Sequence, residues 1–324
     1  MTGLLNRALS SRSGLLRKAA TAFLQLPRRL AAKQAEAADL AARPPVLVNS
    51  FPKSGTHLLA QLAAALPDCV NYGTFLASMT SSFRFRERST RNTSQLIRRF
   101  VAGEMVRGHL FFRPQFAREL KARNVVHFFI YRDPRDVVVS EAHYLREMNP
   151  WHRLSPFFRQ VDSIEETIKL SIVGLEPAMT GVHYPNIAAR YARYQGWLID
   201  PDCLSIRFED LLSDGLEAIV RRMAEFYAAR CGRDLNLEAC VAAMIANIAP
   251  QKSHTFRSVK KAGWQKEFTA EHRRLFDAVA GDLLIELGYE PDHAWATAND
   301  APERPGISVP GKENCNVVGT LRVP

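Results

Sequence analysis

The 324-residue sequence has few cysteines and no long apolar run. Its five cysteines are scattered, without a C-x-x-C pair, so they support neither a disulfide framework nor a zinc site and favour a reducing compartment. No stretch reaches the roughly 18 apolar residues that a membrane-spanning helix needs. These absences argue against a disulfide-stapled secreted domain and a spanning membrane protein, and they predict a soluble body in the cytoplasm.

Acidic residues are absent from the first 35 positions, which are rich in arginine and lysine. Residues 1–45 hold eight basic and two acidic residues and so account for more than half of the formal net charge of +10. Because the charge is concentrated at one end, the sequence does not indicate a uniformly basic protein that coats nucleic acid, and no nucleic-acid partner is predicted.

The N-terminal basic segment also shows apolar residues at near-helical spacing. Leu5, Leu9, Leu16, Ala20 and Phe23 share one side, while Arg7, Arg12, Arg17 and Lys18 take other faces. We therefore predict a basic amphipathic extension over residues 1–43. Peripheral membrane contact through residues 1–30, an organelle transit peptide in a eukaryote, and a segment that packs on the domain or stays mobile all fit this pattern.

Strands alternate with helices between the prolines at 44 and 45 and about residue 290. Strands are predicted at 46–50, 105–110, 125–131 and 203–208, and the apolar run 125–131 is typical of the centre of a parallel sheet. Helices are predicted near 58–66, 92–102, 134–146, 163–173, 187–198, 215–230, 236–247 and 270–287. This alternation predicts one α/β three-layer domain over 44–290, followed by a mobile tail over 291–324 that is rich in Pro, Asn, Asp and Gly.

A phosphate-binding loop is predicted at Pro52-Lys53-Ser54-Gly55-Thr56, directly after the first strand. A strand that passes through such a loop into a helix surrounds one concavity with backbone N–H groups and a helix dipole. Gly55 permits close approach of an anion, Lys53 adds a positive charge, and the Thr56 hydroxyl can donate a hydrogen bond. The Walker A spacing is absent, and an ordinary strand-to-helix turn explains the loop alone equally well.

A second junction of the same kind follows the strand 125–131, with the sequence Tyr-Arg-Asp-Pro-Arg-Asp-Val-Val-Val-Ser over 131–140. Arg132 lies at the carboxyl end of the strand, where ligands bind in open α/β sheets, and Ser140 follows about two helical turns later. We predict that these two side chains hold a second phosphate. Arg135 and Asp136 are expected to pair with each other or with neighbouring loops.

Together these motifs resemble the PAPS-dependent sulfotransferase family of the cytosolic type. A third motif of that family, F-R-K-G-x-x-G-D-W-K-x-x-F-T, is matched in register by residues 256–269. The resemblance covers about residues 44–290. It implies a P-loop-NTPase-like fold with a central parallel sheet flanked by helices, PAPS as the co-substrate, 3′,5′-ADP as the product, and no metal.

The resemblance also implies roles for individual residues. Lys53 would contact the phosphosulfate, Ser54, Gly55 and Thr56 would form the backbone cradle, and His57 and Leu58 would follow on the nucleotide side. Arg132, Ser140 and Arg257 would hold the 3′-phosphate. Ser258 and Val259 replace the Lys-Gly of the third motif, so Lys260 or Lys261 is predicted to complete the clamp. Leu58 replaces the tryptophan that stacks on adenine in many members.

The catalytic base is predicted from Arg107-Gly108-His109-Leu110, which resembles the family segment K-T-H-L-P. His109 would be the base and Arg107 the cationic helper, with His57 as the rival base. The predicted reaction is in-line transfer of a sulfuryl group from PAPS to a hydroxyl or amine of an unidentified acceptor, with Lys53 stabilising the leaving phosphate.

Two other functions remain open. A P-loop kinase or NTPase would need a Mg²⁺ carboxylate, for which Asp133 and Asp136 are the candidates, and a non-catalytic protein could bind a nucleotide or a sulfated ligand.

For a sulfotransferase, the predicted acceptor is a small molecule, a glycan or a lipid. Aromatic residues favour an apolar or ring-bearing acceptor: Phe75, Phe83, Phe85, Trp151, Phe157 and Phe158. An arginine cluster favours an acidic glycan or lipid headgroup: Arg84, Arg86, Arg88, Arg91, Arg98 and Arg99. The oligomeric state is not predicted.

Overall fold

The computed structural model of the chain describes residues 8–9, 14–34, 37–249 and 262–297. Its centre is a five-stranded parallel sheet in the order β2-β3-β1-β4-β5. The strands are β1 Val46–Ser50, β2 Phe75–Ala77, β3 Met105–His109, β4 Val126–Tyr131 and β5 Cys203–Arg207. The four predicted strands are confirmed to within a residue or two, and the apolar strand β4 lies inside the sheet next to β1.

Helices surround this sheet, and most of them were predicted. Within the described residues they are α1 Gly14–Gln34, α2 Ala37–Ala42, α3 Thr56–Ala63, α4 Thr90–Ile97, α5 Pro114–Ala122, α6 Pro134–His143, α7 Ser155–Gln160, α8 Ile164–Val173, α9 Pro177–Thr180, α10 Ile187–Ala192, α11 Gly196–Ile199, α12 Leu216–Ala228, α13 Leu237–Ala246 and α14 Ala270–Glu286. A π-helical turn spans Tyr144–Met148, and 3-10 turns span Phe208–Leu212, Gly263–Lys266 and His293–Ala296. No described helix has the length and hydropathy needed to cross a membrane.

Several elements were not predicted, namely the short helices α2, α7 and α9 as well as β2 and α5. β2 is only three residues long and pairs with β3 alone, so it carries no alternating pattern to recognise. α5 buries Phe116 and Leu120, one helical turn apart, and this narrow apolar stripe did not stand out among polar neighbours. β2 matters for function because it forms one side of the site described below.

Alternate residues of the central strands fill two separate cores, one on each face of the sheet. In β1, Val46 and Val48 pack in one core, while Leu47 packs in the other. β4 divides in the same way, with Phe128 on the first side and Phe129 on the second. Because side chains alternate across a strand, this pattern produces the three-layer α/β arrangement and confirms the predicted fold class.

Both ends of the described chain pack against the domain. Leu9, Ala20 and Leu24 form a small buried cluster at the N-terminal helix. At the other end the 3-10 turn His293–Ala296 buries Ala296, and Trp295 packs edge-on against Trp264, 5.8 Å between ring centroids. The described part of the segment predicted as a mobile tail, 291–297, is therefore held against the body, and residues 298–324 lie outside the described residues.

Candidate active site

The loop between β1 and α3 has two residues in the left-handed backbone region. Lys53 has φ 68° and Gly55 has φ 98°. A Cβ atom built on Gly55 would lie 2.5 Å from Cδ2 of Phe208, so only glycine fits this position. Lys53 carries a side chain in a conformation that costs a non-glycine residue about 1–2 kcal/mol. The backbone therefore follows a strained path at the point where the sequence predicts an anion cradle.

Helix α3 begins immediately after this loop, at Thr56. Its N-cap residue is Gly55, and no side chain caps the helix. The first N–H groups of a helix have no acceptor within the helix, and the helix dipole places partial positive charge there. The Lys53 ammonium lies 4.2 Å from the centroid of the Tyr144 ring. The loop is thus a cationic, donor-rich concavity of the kind that binds phosphate or sulfate.

His109 ends β3 and lies against the end of β1. Its Nδ1 atom is 3.0 Å from the Ser50 carbonyl oxygen and 3.0 Å from the Ser50 hydroxyl, which in turn lies 2.6 Å from the Thr56 hydroxyl. A carbonyl oxygen can only accept, so Nδ1 carries the proton and donates it to Ser50, and the lone pair is on Nε2. The geometry therefore orients the imidazole and leaves Nε2 able to accept a proton.

The charge state of His109 follows from its surroundings. Burial lowers the pKa of His109 to about 4, the hydrogen bond to Ser50 opposes this shift, and the positive charges of Lys53 and Arg107 lower the pKa further. Arg107 lies two residues earlier on β3, so its side chain projects from the same face of the sheet. The imidazole is therefore neutral at physiological pH, and the lone pair on its Nε2 atom is available to a proton donor.

The second strand-to-helix junction brings Arg132 beside Phe208, the same ring that lies under Gly55. The Arg132 guanidinium is 4.6 Å from that ring centroid and forms an ion pair of 3.0 Å with Asp136. Tyr191 joins the two junctions, since its ring stacks on Phe51 at 3.9 Å and its hydroxyl donates to the Arg132 carbonyl oxygen. The two predicted anion loops are thus neighbours in space, although about 80 residues separate them.

The third motif reaches the second through its described C-terminal part. The backbone N–H of Trp264 donates to the Asp136 carboxylate at 2.9 Å. Thr269 caps α14 by accepting from the His272 N–H. The predicted nucleotide ligands Arg257, Lys260 and Lys261 lie outside the described residues.

Arg135 and Asp136 pair with neighbouring groups, which is one of the two predicted alternatives, and not with each other. Arg135 is buried, forms an ion pair of 2.8 Å with Asp133, also pairs with Glu290, and lies over the Trp264 ring. Asp133 and Asp136, the two candidate Mg²⁺ carboxylates, are thus both engaged by arginine. In the part of the chain that the structure describes, no group of three or more His, Cys, Asp or Glu side chains is arranged to hold a metal ion.

One cavity of about 1650 Å³ collects most of the predicted site residues. Its lining includes Lys53, Gly55, Thr56, His57, Leu58, Arg107, His109, Arg132 and Ser140. Ser54 is fully buried beneath the loop and does not line the cavity. Residues that are distant in the sequence thus face one space.

Much of the remaining lining comes from three segments, 75–87, 150–156 and 181–185. Phe75, Phe83, Phe85 and Trp151 line the cavity, and the Phe75 ring contacts His109 edge-on at 5.2 Å. Phe157 and Phe158, which were predicted as wall residues, do not line the cavity and pack instead in the hydrophobic cluster that contains Leu154.

The arginine cluster is divided. Arg84 and Arg86 line the cavity, and no described carboxylate forms an ion pair with either of them. Arg88 donates to the Ala77 carbonyl oxygen, and Arg98 pairs with Glu119 at 3.0 Å. Only the first two arginines of the cluster can meet a ligand in this cavity.

Three site residues were not predicted from the sequence: Ser50, Tyr144 and Phe208. Ser50 is a polar residue at the end of an otherwise apolar strand, and this contrast was the available signal. Tyr144 follows Ser140 by one helical turn and thus shares its face, where the π-helical turn begins. Phe208 had no local signal, because its role depends on contacts with Gly55 and Arg132.

Comparisons with known proteins bear on the family and the fold. The sequence model of the family described as sulfotransferase domain matches residues 43–288. Mouse sulfotransferase SULT7A1 complexed with PAP has a similar fold, with a TM-score of 0.52, 17% identity, and coverage of 79% of this chain and 88% of that one. Retinol dehydratase complexed with androsterone and the inactive cofactor PAP gives a TM-score of 0.47 at 16% identity, covering 76% and 84% of the two chains. A comparison with curated protein sequences found no match.

Proposed function

The chain belongs to the sulfotransferase domain family, so it is a PAPS-dependent sulfotransferase of the EC 2.8.2 class, and we propose a mechanism in which His109 is the general base. The chain transfers a sulfuryl group in line from PAPS to a hydroxyl or amine of the acceptor. The observation that supports this mechanism best is the His109 imidazole, held by Ser50, in one cavity with Lys53 and the uncapped start of α3.

The donor site is proposed at the two strand-to-helix junctions. The N–H groups at the start of α3 and the Lys53 ammonium would hold the 5′-phosphosulfate, where both dipole and charge favour an anion. Arg132 and Ser140 would hold the 3′-phosphate, and Arg132 would then share its charge between that phosphate and Asp136. Arg257, Lys260 and Lys261 are proposed to complete this clamp, and Leu58 and His57 to pack near the adenine.

His109 acts on the acceptor, and Lys53 acts on the departing phosphate. Nε2 of His109 accepts the proton of the acceptor hydroxyl or amine as the new S–O or S–N bond forms. The bond between sulfur and the bridging phosphate oxygen breaks, and negative charge develops on that oxygen. Lys53 and the loop N–H groups stabilise this charge in a partly desolvated site, while Arg107 helps to hold the sulfuryl oxygens. The products are the sulfated acceptor and 3′,5′-ADP, with the proton on His109.

The experiment that separates an enzyme from a binding protein is the substitution His109→Ala. We expect the variant to bind 3′,5′-ADP in calorimetry within about twofold of the original protein, and to lose transfer of radiolabelled sulfate from PAPS by at least about 100-fold. His293→Ala, on an exposed surface turn, is the matched control and should retain both. Unchanged transfer in His109→Ala would assign the base to another group, and His57→Ala would be measured next.

A second calorimetric comparison tests the donor itself. The site should bind 3′,5′-ADP in preference to ATP with Mg²⁺, because Asp133 and Asp136 are occupied by arginines rather than presented to a metal ion. A clear preference for ATP with Mg²⁺ would instead favour a kinase or NTPase.

For the acceptor, we propose a small molecule that joins an apolar or ring-bearing part to an acidic group. Phe75 packs beside His109 and suits the apolar part, while Arg84 and Arg86 face the same cavity and suit the acidic group. Glycan and lipid acceptors are the alternatives. A screen of sulfate transfer to phenols, sterols, glycans and lipids, each with and without a carboxylate, would test the proposal, which fails if neutral acceptors are sulfated equally well.

A further inference from the structure

Helix α1 exposes a continuous apolar stripe to solvent. Five large side chains on it are exposed: Leu15 81%, Leu16 55%, Phe23 59%, Leu26 66% and Leu30 53%. At about 100° of rotation per residue these positions fall within one arc of about 100° around the helix axis. A surface that is contiguous, apolar and exposed is a mark of an interaction site, whereas apolar residues scattered singly over a surface are not.

The opposite side of α1 is attached to the domain, so the stripe cannot turn inward. Ala20 and Leu24 are buried, 5% and 9% exposed, in a cluster with Leu9 against which Tyr72 packs. One turn further along, Arg28 donates to the Glu104 carboxylate at 2.6 Å and 3.0 Å, and Glu104 is itself fully buried. This ion pair lies on the helix side that carries Ala20 and Leu24. The domain thus presents the stripe outward in a defined orientation.

Basic residues accompany the stripe. Lys18 and Arg29 are exposed on the helix flank next to it, and the first acidic residue of the whole sequence is Glu36. A second copy of the chain on the stripe would bring these like charges together, which opposes association. An anionic lipid surface satisfies both features, since acyl chains accept the apolar side chains and the headgroups attract the basic ones.

We propose that α1 is an in-plane membrane anchor that docks the enzyme on anionic lipid bilayers through Leu15, Leu16, Phe23, Leu26 and Leu30. This inference does not depend on the sulfotransferase mechanism. It also changes the face predicted from the sequence, because Leu9 and Ala20 face the domain rather than the lipid.

Sedimentation of the full-length protein with liposomes tests the proposal. The protein should sediment with vesicles that contain 40% phosphatidylglycerol, and about ten times less with pure phosphatidylcholine, with binding to the anionic vesicles weakened by salt. The double variant F23D and L26D should reduce binding at least about tenfold. Ile199→Asp is the matched control, since Ile199 is an apolar side chain, 85% exposed, at the end of α11 outside the stripe, and it should leave binding unchanged.

Three outcomes would overturn the proposal. One is equal sedimentation of the F23D and L26D variant and the original protein. Another is a shift from a dimer to a monomer caused by that variant in light scattering, which would show that a second copy covers the stripe. The third is binding that emerges only after deletion of residues 298–324, which would show that this segment covers the stripe in the intact chain. Retained 3′,5′-ADP affinity confirms that each variant is folded.

Discussion

At the scale of single residues, His109 derives its reactivity from the protein around it. A free histidine is about half protonated near pH 6.5, whereas burial and the neighbouring charges of Lys53 and Arg107 lower the pKa of His109 to about 4. The hydrogen bond to the Ser50 carbonyl oxygen sets the tautomer. The end of β1 and the loop that follows it therefore fix the tautomer of the His109 imidazole and favour its neutral form.

This environment predicts the pH dependence of transfer. Because the folded-state pKa lies below the ordinary value, His109 stays unprotonated as the pH falls through 6.5, and kcat/KM should stay level from about pH 8 to about pH 5. It should then fall below about pH 4. The unfolded chain binds this proton already near pH 6.5, so His109 also removes stability as the pH falls from 6.5 to 4. Circular dichroism at each pH separates unfolding from titration, and an acid limb centred near pH 6.5 would contradict the assignment.

Lys53 supplies a charge that the reaction needs, at a position where the backbone conformation favours glycine. Both Lys53→Gly and Lys53→Ala should lower kcat by about 100-fold to 1000-fold, because the charge that stabilises the departing oxygen is gone. The two variants should differ in stability. At φ 68° glycine is relaxed and alanine is not, so Lys53→Gly should unfold with a free energy about 0.5–1 kcal/mol higher than Lys53→Ala. Urea titration measures this difference, and equal stabilities would exclude backbone strain at Lys53.

At the scale of elements, the cradle is a strand, a loop and a helix held in place by a side chain from elsewhere. Phe208 follows β5 and supports both Gly55 and the Arg132 guanidinium. The parallel arrangement of β1, β4 and β5 brings their carboxyl ends to one edge of the sheet, where these groups meet. The loop is therefore shaped by sheet topology as well as by its own residues.

Close contact at Gly55 predicts an effect on both stability and nucleotide binding. Gly55→Ala combines a left-handed φ with a collision against Phe208, and we expect it to cost at least about 2 kcal/mol. Gly288→Ala is the control, because Gly288 has φ +70° but nothing within 4 Å of the added Cβ, and it should cost about 1 kcal/mol. Affinity for 3′,5′-ADP should fall at least tenfold in Gly55→Ala alone. Equal losses in both variants would show that the phenyl contact does not shape the cradle.

At the scale of the whole molecule, the packed C-terminal turn extends the body beyond residue 290. Arg135 links the end of β4 to this region, since it pairs with Glu290 and its guanidinium lies 4.8 Å from the Trp295 ring centroid. Trp264 and Phe276 complete the aromatic contacts of Trp295. Glu290 and Trp295, near the C-terminal end of the described chain, thus stabilise the Arg135 side chain.

A pair of truncations tests this boundary. A chain that ends at Glu290 should be less stable than one that ends at Thr297 by about 2 kcal/mol, because it loses the half-buried Trp295 side chain and its contact with Arg135. Chemical unfolding of the two chains measures the difference. Equal stabilities would place the boundary of the folded body at residue 290, as the sequence composition predicts.

The α/β class, four of the five strands and the two strand-to-helix motifs follow from local patterns of apolar residues, glycine and charge, and the third motif follows from its resemblance to a known family. Tertiary structure decided which of these residues act together. Phe208 under Gly55, Ser50 beside His109 and Trp264 against Asp136 are contacts across about 60 to 150 positions. The face of α1 that stays exposed was likewise decided by contacts with Tyr72 and Glu104, since an amphipathic pattern shows that a helix has an apolar side but not which surface covers it.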